Sequence, residues 1–177
     1  MKINFRAPIN RLGFGIFSTI YFKHMLEIGA EVSWSILSNG RDIQEELHIC
    51  NWFGVSENEF ADATSKPFFP DVPVFTLWHP HDLKNGSQQH EVNAITFFET
   101  TGLLPEELDS MNSVSSVSLT SDWGVFIAKT AFKAQHKVFK APGIYTSKEC
   151  PYFLRPTIDT PSNIVSIEPN ITASSML

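Results

Sequence analysis

The sequence predicts an α/β fold, a doubly wound and mostly parallel sheet with helices on both faces, as in Rossmann-like domains. Two observations predict it. Segments with strand patterns alternate with segments with helical patterns through most of the 177 residues. Several of the strands are apolar on both faces, as in parallel sheets buried between two layers of helices. The alternation predicts about six or seven strands, with the first strand central.

The elements follow from local patterns. Residues 2–7 are β-branched and aromatic, and Pro8 ends this first strand. Asp42 is placed to cap a helix, with Glu45 completing a capping-box pattern. Residues 55–72 are predicted to be irregular because they hold two prolines. The predicted helices cover residues 16–29, 43–54, 104–114 and 122–136, and the later strands cover residues 31–37, 73–79, 92–99, 115–121 and 137–143.

The domain prediction is a Rossmann-like domain over residues 1–143, followed by a proline-rich tail or linker over residues 144–177. Basic residues number 13 and acidic residues 19, which gives a formal charge of -6 and no support for nucleic-acid binding. No stretch has the pattern of a signal peptide or a membrane span. Cys50 and Cys150 are best explained as reduced thiols. We therefore expect a cytoplasmic protein.

Ligands of such folds bind beyond the carboxyl ends of the strands, so residues just after strands are the candidates. The first is the loop at residues 10–15, in which Gly13, Phe14 and Gly15 let backbone amides approach a phosphate or sugar. The alternative is a glycine turn without a ligand. As a dinucleotide fingerprint the loop is weak, because Ser18 stands where a third glycine belongs and Ser38-Asn39 where a ribose-binding acid belongs.

The second candidate segment is Trp78 to Asp82, with two histidines. His79 and His81 can act as general base or accept hydrogen bonds from sugar hydroxyls. On an extended backbone they would point to opposite sides, so we predict no metal site here. For each of them an ordinary loop histidine is the alternative, and for His81 that alternative is favoured.

The third candidate segment contains Glu99 and Thr100, at the carboxyl end of the apolar strand and directly after Phe97 and Phe98. A carboxylate at a strand end can face the crevice and bind hydroxyls, and a helix cap or solvated charge is the alternative. The fourth is Ser121, at the next strand-to-helix turn, where capping of the following helix is the simplest interpretation.

The order of these pieces resembles the N-terminal half of a family 4 (group 1) glycosyltransferase of the GT-B fold. The matching features are "INRLGFG", a helix ending "LEIGAEV", and the run "FFETTGLLPEELDSMNSVSSVSLTSDWG", followed by "VFKAPGIY" and "APGIYTSKECPYFLRP". The resemblance covers most of residues 2–156, and "FFETTGLLPEEL" is its most specific part. It implies that the chain is the acceptor-side domain of a nucleotide-sugar-dependent glycosyltransferase, with substrate contacts from the candidate residues above.

In that family a second, C-terminal domain binds the nucleotide-sugar donor with a basic pair and a Glu-x7-Glu pair. Glu99 and Glu107 have this spacing, but they lie in the half that resembles the first domain and on either side of Pro105, so we treat the match as coincidence. The resemblance therefore implies that the domain alone binds no cofactor, that the nucleotide sugar is the donor substrate of the complete enzyme, and that the partners are the missing C-terminal domain and a sugar or glycan acceptor. We expect the isolated chain to be inactive, with an apolar crevice face that is able to form a homodimer. The alternatives are a stand-alone Rossmann-type nucleotide-binding or oxidoreductase module and a non-catalytic binding protein.

Overall fold

A computed structural model describes residues 1–37, 40, 42–84, 89–97, 102–131 and 138–140. Within these residues, strands and helices alternate as predicted. The strands are β1 (Lys2–Ala7), β2 (Glu31–Ile36), β3 (Val74–Leu77), β4 (Val92–Thr96), β5 (Ser116–Leu119) and β6 (Val138–Lys140). The helices are α1 (Gly13–Glu27), α2 (Ile43–Trp52), α3 (Glu57–Ser65), α4 (Pro105–Asn112) and α5 (Asp122–Ala131).

The six strands form one sheet in the order β2-β1-β3-β4-β5-β6, and every neighbouring pair is parallel. The predicted α/β fold with a parallel sheet is confirmed. β1 is an interior strand, but among the described strands it lies second from the edge, with β2 beyond it, and is not central as predicted. The strand order reverses direction between β1 and β3, and in open α/β sheets this switch point forms the ligand crevice.

Two hydrophobic clusters lie on opposite faces of the sheet. Phe5 of β1 pairs with Trp34 of β2, and these side chains pack with α1, where Phe22 is fully buried. The second cluster is built from the alternate positions of β4 to β6 and includes residues of α4 and α5. Helices therefore cover both faces, as the apolar strand patterns predicted.

Polar side chains of β1 and β2 are also buried, at the place where the segment between α3 and β3 packs against these two strands. The Asn4 amide donates to the carbonyl oxygens of Phe69 and Val72, and its oxygen accepts from the Phe69 N–H. The Ser33 hydroxyl donates to the Lys66 carbonyl oxygen. These bonds fix the connection from α3 to β3 against the sheet, because buried polar groups must find partners.

The prediction that residues 55–72 are irregular is wrong for α3. Ser56 and Glu59 form a reciprocal capping box, and Phe60 and Ala63 provide a buried face. The two prolines that suggest a loop lie after the last turn of this helix. The Ser-x-x-Glu signal is present in the sequence, and it outweighs prolines that lie beyond the helix end.

Two other boundaries differ in ways that affect the crevice. α1 begins at Gly13, so the glycines belong to its first turn and not to a loop before it. β4 ends at Thr96, so Phe97 lies just past the strand and not within it. Asp42 caps α2 by accepting N–H bonds from Gln44 and Glu45, as predicted, while the Glu45 carboxylate pairs with Arg11.

Among the helices that the structure describes, none combines the length and the apolar character needed to cross a bilayer.

Candidate functional site

Three segments meet beyond the carboxyl ends of β1, β3 and β4. They are the start of α1, the turn that follows β3, and Phe97 after β4. The turn is a short 3-10 helix, Pro80–Asp82, which begins directly after His79. The strand order reverses at this place, so the segments border the switch-point crevice.

Four aromatic rings form a row across this edge of the sheet. The Phe14 ring stacks on that of Phe97, with centroids 3.8 Å apart and planes inclined by 11°. The Phe14 ring also lies 4.4 Å from the His79 ring, and the His79 and His81 rings are 5.7 Å apart. Phe14 is buried, whereas both histidines are exposed. The row thus extends from the core to the solvent. Its exposed end consists of the two imidazoles, with the His79 ring packed against Phe14 and the His81 ring beside that of His79.

The two glycines of α1 have different roles. A Cβ on Gly15 would lie 2.2 Å from the backbone nitrogen of Asn10 and 2.3 Å from its carbonyl oxygen. A Cβ on Gly13 would meet only the Phe97 ring, at an ordinary 3.6 Å. The Asn10 side chain accepts the Leu12 N–H at 2.9 Å and so closes the turn. Gly15 is therefore required by the close packing of the first turn of α1 against the Asn10 backbone, and that packing sets the direction of the α1 N-terminus.

A buried arginine, Arg6, contacts the turn after β3 that carries His79 and His81. Arg6 is almost completely buried, and its guanidinium donates to the Asp82 carbonyl oxygen at 3.3 Å and lies 3.7 Å from the Asp82 carboxylate. Burial lowers the pKa of Arg6, and the nearby Asp82 opposes that shift. A guanidinium remains charged under such conditions. The contact connects β1 to the turn that carries His79 and His81.

The two histidines do not point to opposite sides, so that part of the prediction is wrong. The backbone after His79 turns into the 3-10 helix and is not extended, which brings the two rings side by side with planes inclined by 21°. In the described residues no group of three or more His, Cys, Asp or Glu side chains is arranged to hold a metal ion.

The pKa of His79 is lowered from its ordinary value of 6.5, mainly by burial, then by the neighbouring His81, while Glu107 opposes the shift. More than a third of the residue is exposed, yet Phe14 and Trp78 cover part of the ring. Exposure limits the size of the shift but not its direction. His79 is accordingly neutral near pH 7 and able to accept a proton or a hydrogen bond.

The other predicted residues have different outcomes. Ser121 lies at the same edge, after β5, and its hydroxyl oxygen accepts the Gly124 N–H at 3.0 Å, which makes it a cap of α5. The next strand over, β4, separates it from the turn after β3. Glu99 and Thr100 lie outside the described residues.

A second, open groove of about 480 Å³ lies on the other side of the loop, towards α2. Its lining carries both signs of charge: Arg11 forms an ion pair with Glu45 at 3.1 Å and lies over the Trp52 ring. The remaining lining residues are Asp42, Gln44 and His48. Two carboxylates beside one paired arginine give no net positive field, so this groove is poorly suited to a phosphate.

Three residues of the crevice are absent from the sequence-based site: Arg6, Trp78 and Phe97. Arg6 lies near the carboxyl end of β1 between Phe5 and Ala7, both fully buried, and a charge between two core positions is a sequence signal of a paired or functional side chain. Trp78 and Phe97 could not be separated from ordinary core residues, because an aromatic residue near a strand end serves either purpose.

Comparison of the chain with protein-family models, with curated proteins and with solved structures gives no match. The resemblance to glycosyltransferases therefore stays a prediction from the sequence.

Proposed function

We propose that the chain is the acceptor-side domain of a nucleotide-sugar-dependent glycosyltransferase and binds a sugar acceptor in the switch-point crevice. The observation that carries the proposal is the ring row, which places two exposed imidazoles on a packed aromatic base at the carboxyl ends of the strands. Small-molecule sites typically combine apolar and aromatic walls with a few well-positioned polar groups.

The charges at this edge favour a neutral ligand. Arg6 faces Asp82, and Arg11 faces Glu45, so each of these cations is offset by a carboxylate. A diphosphate would need several unpaired donors or cations. A sugar needs none of them, because its hydroxyl groups bond to neutral imidazoles and its C–H faces pack on aromatic rings.

The lowered pKa of His79 suits the chemistry of an acceptor. Glycosyl transfer joins an acceptor oxygen to the anomeric carbon of the donor, and the acceptor hydroxyl must lose its proton. A neutral imidazole within hydrogen-bond reach can accept that proton. Stabilisation of the departing diphosphate is the other large catalytic requirement. We assign that part to a separate donor-binding domain, and therefore expect no sugar transfer by this chain alone.

Binding to the intact, isotope-labelled chain tests the proposal. Neutral saccharides, NAD and nucleotide sugars are titrated separately, and backbone amide shifts are recorded by NMR. We expect a saccharide to bind weakly, with a Kd of about 1 mM, and to shift amides near Phe14 and His79. Binding of NAD in the absence of any saccharide binding would overturn the proposal in favour of a nucleotide-binding module.

A pair of histidine variants localises the site. His79→Ala should weaken saccharide binding by about three- to tenfold, the worth of one neutral hydrogen bond. His90→Ala is the matched control, because His90 also lies beside an aromatic ring, that of Phe68, but precedes β4 at the opposite edge of the sheet. Equal loss in both variants would show that the crevice is not the binding site.

A further inference from the structure

Three buried polar side chains lie near the carboxyl ends of β1, β3 and β4, on one face of the sheet. They are Arg6, Thr76 and Thr96, and each is at most 3% exposed. The register pairs Arg6 with Thr76 and Thr76 with Ala94, and Thr96 follows Ala94 by two residues on β4. Because side chains alternate along a strand, all three point to the same face. We call these three residues the polar layer.

The two threonines of the polar layer are not satisfied by the fold. Neither the Thr76 hydroxyl nor the Thr96 hydroxyl has a hydrogen-bond partner among the described residues. Folded proteins pair nearly all of their buried polar groups, and an unpaired hydroxyl lowers stability. Two such hydroxyls beside one buried arginine indicate that the polar layer serves a purpose other than folding.

The buried arginine of the polar layer is also incompletely bonded. A guanidinium offers several N–H donors, but within the described residues Arg6 makes one hydrogen bond, from Nη1 to the Asp82 carbonyl oxygen at 3.3 Å. Its Nη2 lies 3.7 Å from Oδ2 of Asp82, which is longer than a hydrogen bond. The Asp82 side chain is 31% exposed. Donors of Arg6 and acceptors of Asp82 therefore lie close together at the crevice without satisfying one another.

We propose that Arg6 and Asp82 together bind a vicinal diol of the acceptor sugar. The proposal rests on the proposed function and specifies the substrate class. Arg6 donates an N–H to the oxygen of one hydroxyl, and the Asp82 carboxylate accepts the O–H of the hydroxyl on the neighbouring carbon. The pair carries no net charge, so an anionic ligand would be repelled by Asp82 and a cationic one by Arg6. The ligand is a neutral saccharide with two adjacent free hydroxyls.

The same turn positions the diol relative to His79. The Asp82 N–H donates to the His79 carbonyl oxygen at 3.2 Å, which closes the turn between the carboxylate and the imidazole. A sugar held by two hydroxyls cannot rotate freely, so its next hydroxyl is presented to the imidazole in one orientation. Such fixing of the reacting group is a main contribution of a binding site to catalysis.

Two methylated sugars of the same formula test the proposal on the unmodified chain. The α-methyl glycosides of glucose, galactose and mannose are titrated by NMR, and the 3-O-methyl and 6-O-methyl ethers of the tightest binder are then compared. The 3-O-methyl ether has no two adjacent free hydroxyls, whereas the 6-O-methyl ether keeps them. We expect the 6-O-methyl ether to bind like the parent and the 3-O-methyl ether about tenfold more weakly.

The outcomes separate this proposal from the proposed function. Equal binding of the two ethers, with amide shifts near Phe14 and His79, would overturn the diol site and leave the proposed function standing. Absence of binding by every glycoside would overturn both. Tighter binding of sodium acetate than of any glycoside at the same amides would assign Arg6 to an acidic ligand and overturn the diol site.

Substitutions then locate the diol. Asp82→Asn should weaken binding of the parent glycoside about tenfold and remove the difference between the ethers. Asp62→Asn is the matched control, because Asp62 is also paired with a cation, Lys66, but lies on α3. Equal losses in both variants would contradict the proposal. Thr76→Val should keep or raise the urea midpoint, since it removes an unpaired hydroxyl. A lowered midpoint would show that the fold does use this hydroxyl, and that the polar layer is structural.

Discussion

The same face of one sheet is built in two ways on either side of β3. Over β1 and β2 it carries Phe5 and Trp34, which pack with Phe22 of α1, and all three are at most 1% exposed. Over β4 and β5 the positions in the same register rows are Asn93 and Ser116. Phe5 and Trp34 lie where α1 packs on this face, whereas Asn93 and Ser116 lie opposite the second hydrophobic cluster of α4 and α5.

This difference indicates that the size and polarity of the side chains on this face follow the topology, which determines where helices pack, and not strand propensity. β5 would be an ordinary apolar strand if only its face towards α4 and α5 were considered, since Val117 and Leu119 are buried there. Its alternate residues are serines because that side meets no helix of the described chain. The part of the molecule formed by β1, β2 and α1, which we call the aromatic half, should therefore contribute most of the free energy of unfolding. The following substitutions test this expectation.

The largest effect is expected for Trp34→Ala. Trp34 is fully buried and contacts the rings of Phe5, Phe22 and Phe60. Its removal should lower the free energy of unfolding by about 3–5 kcal/mol, from lost apolar burial and the cavity that remains. Urea denaturation followed by circular dichroism measures the change. Trp123→Ala is the control, because Trp123 is half exposed on α5, and its loss should cost less than about 1 kcal/mol. Similar costs for both would show that the aromatic half is not the main source of stability.

The next effect compares the two glycines that flank Phe14. Gly15→Ala places a Cβ against the Asn10 backbone, which cannot move aside like a flexible side chain, so we expect a loss of about 3 kcal/mol. Gly13→Ala meets only the Phe97 ring at 3.6 Å and should change the unfolding free energy by less than about 0.5 kcal/mol. Both are measured by urea denaturation. An unchanged Gly15→Ala variant would mean that the turn at Asn10 is not as tight as the structure shows.

These comparisons also show which parts of the molecule the sequence predicts. The alternation of elements predicted the parallel sheet, because apolar periodicity and caps such as Asp42 are local signals. The position of β1 in the sheet could not be obtained in this way. It depends on which side each crossover takes, and the local sequence does not encode that choice.

The candidate site was predicted in outline only. Strand ends identified the loop and His79, since residues after parallel strands share one edge. The ring row was not predicted, because it requires Phe14, Phe97 and the histidine turn to meet across three elements. The assumption of an extended backbone at His79 failed for the same reason: Arg6, distant in sequence, holds that turn by its contact with Asp82.

A smaller effect is expected at α3, whose Phe60 packs edge-on against Trp34. The Ser56 hydroxyl accepts the Glu59 N–H, and Glu59 accepts the Ser56 N–H at 2.7 Å. Ser56→Ala should cost about 1 kcal/mol, the usual value of a lost N-cap, and should speed amide hydrogen exchange in the first turn of α3. Ser65→Ala, at the other end of the helix, is the control. If both variants exchange alike, the capping box does not hold this helix in place.

The smallest effect concerns the electrostatics of His79 and is best measured directly. Its lowered pKa is caused first by burial, then by His81, and is opposed by Glu107. His81→Ala should therefore raise the pH at which the His79 ring titrates in NMR spectra, and Glu107→Gln should lower it. Opposite movements are the essential result, since a general loosening of the turn would move both variants upward towards 6.5, the ordinary value of the imidazole.

The sign of the stability effect follows from the same shift. Because the folded protein holds the His79 proton less tightly than the unfolded chain does, the contribution of His79 to stability is complete above pH 6.5 and declines as the pH falls from there through the lowered pKa. Thermal unfolding of the wild-type chain and of His79→Gln, recorded in parallel across this range, should show a smaller decline for the variant, because a glutamine does not titrate. An identical decline in the two proteins would place the pH dependence in other groups and remove the argument that His79 is kept neutral by its ring neighbours.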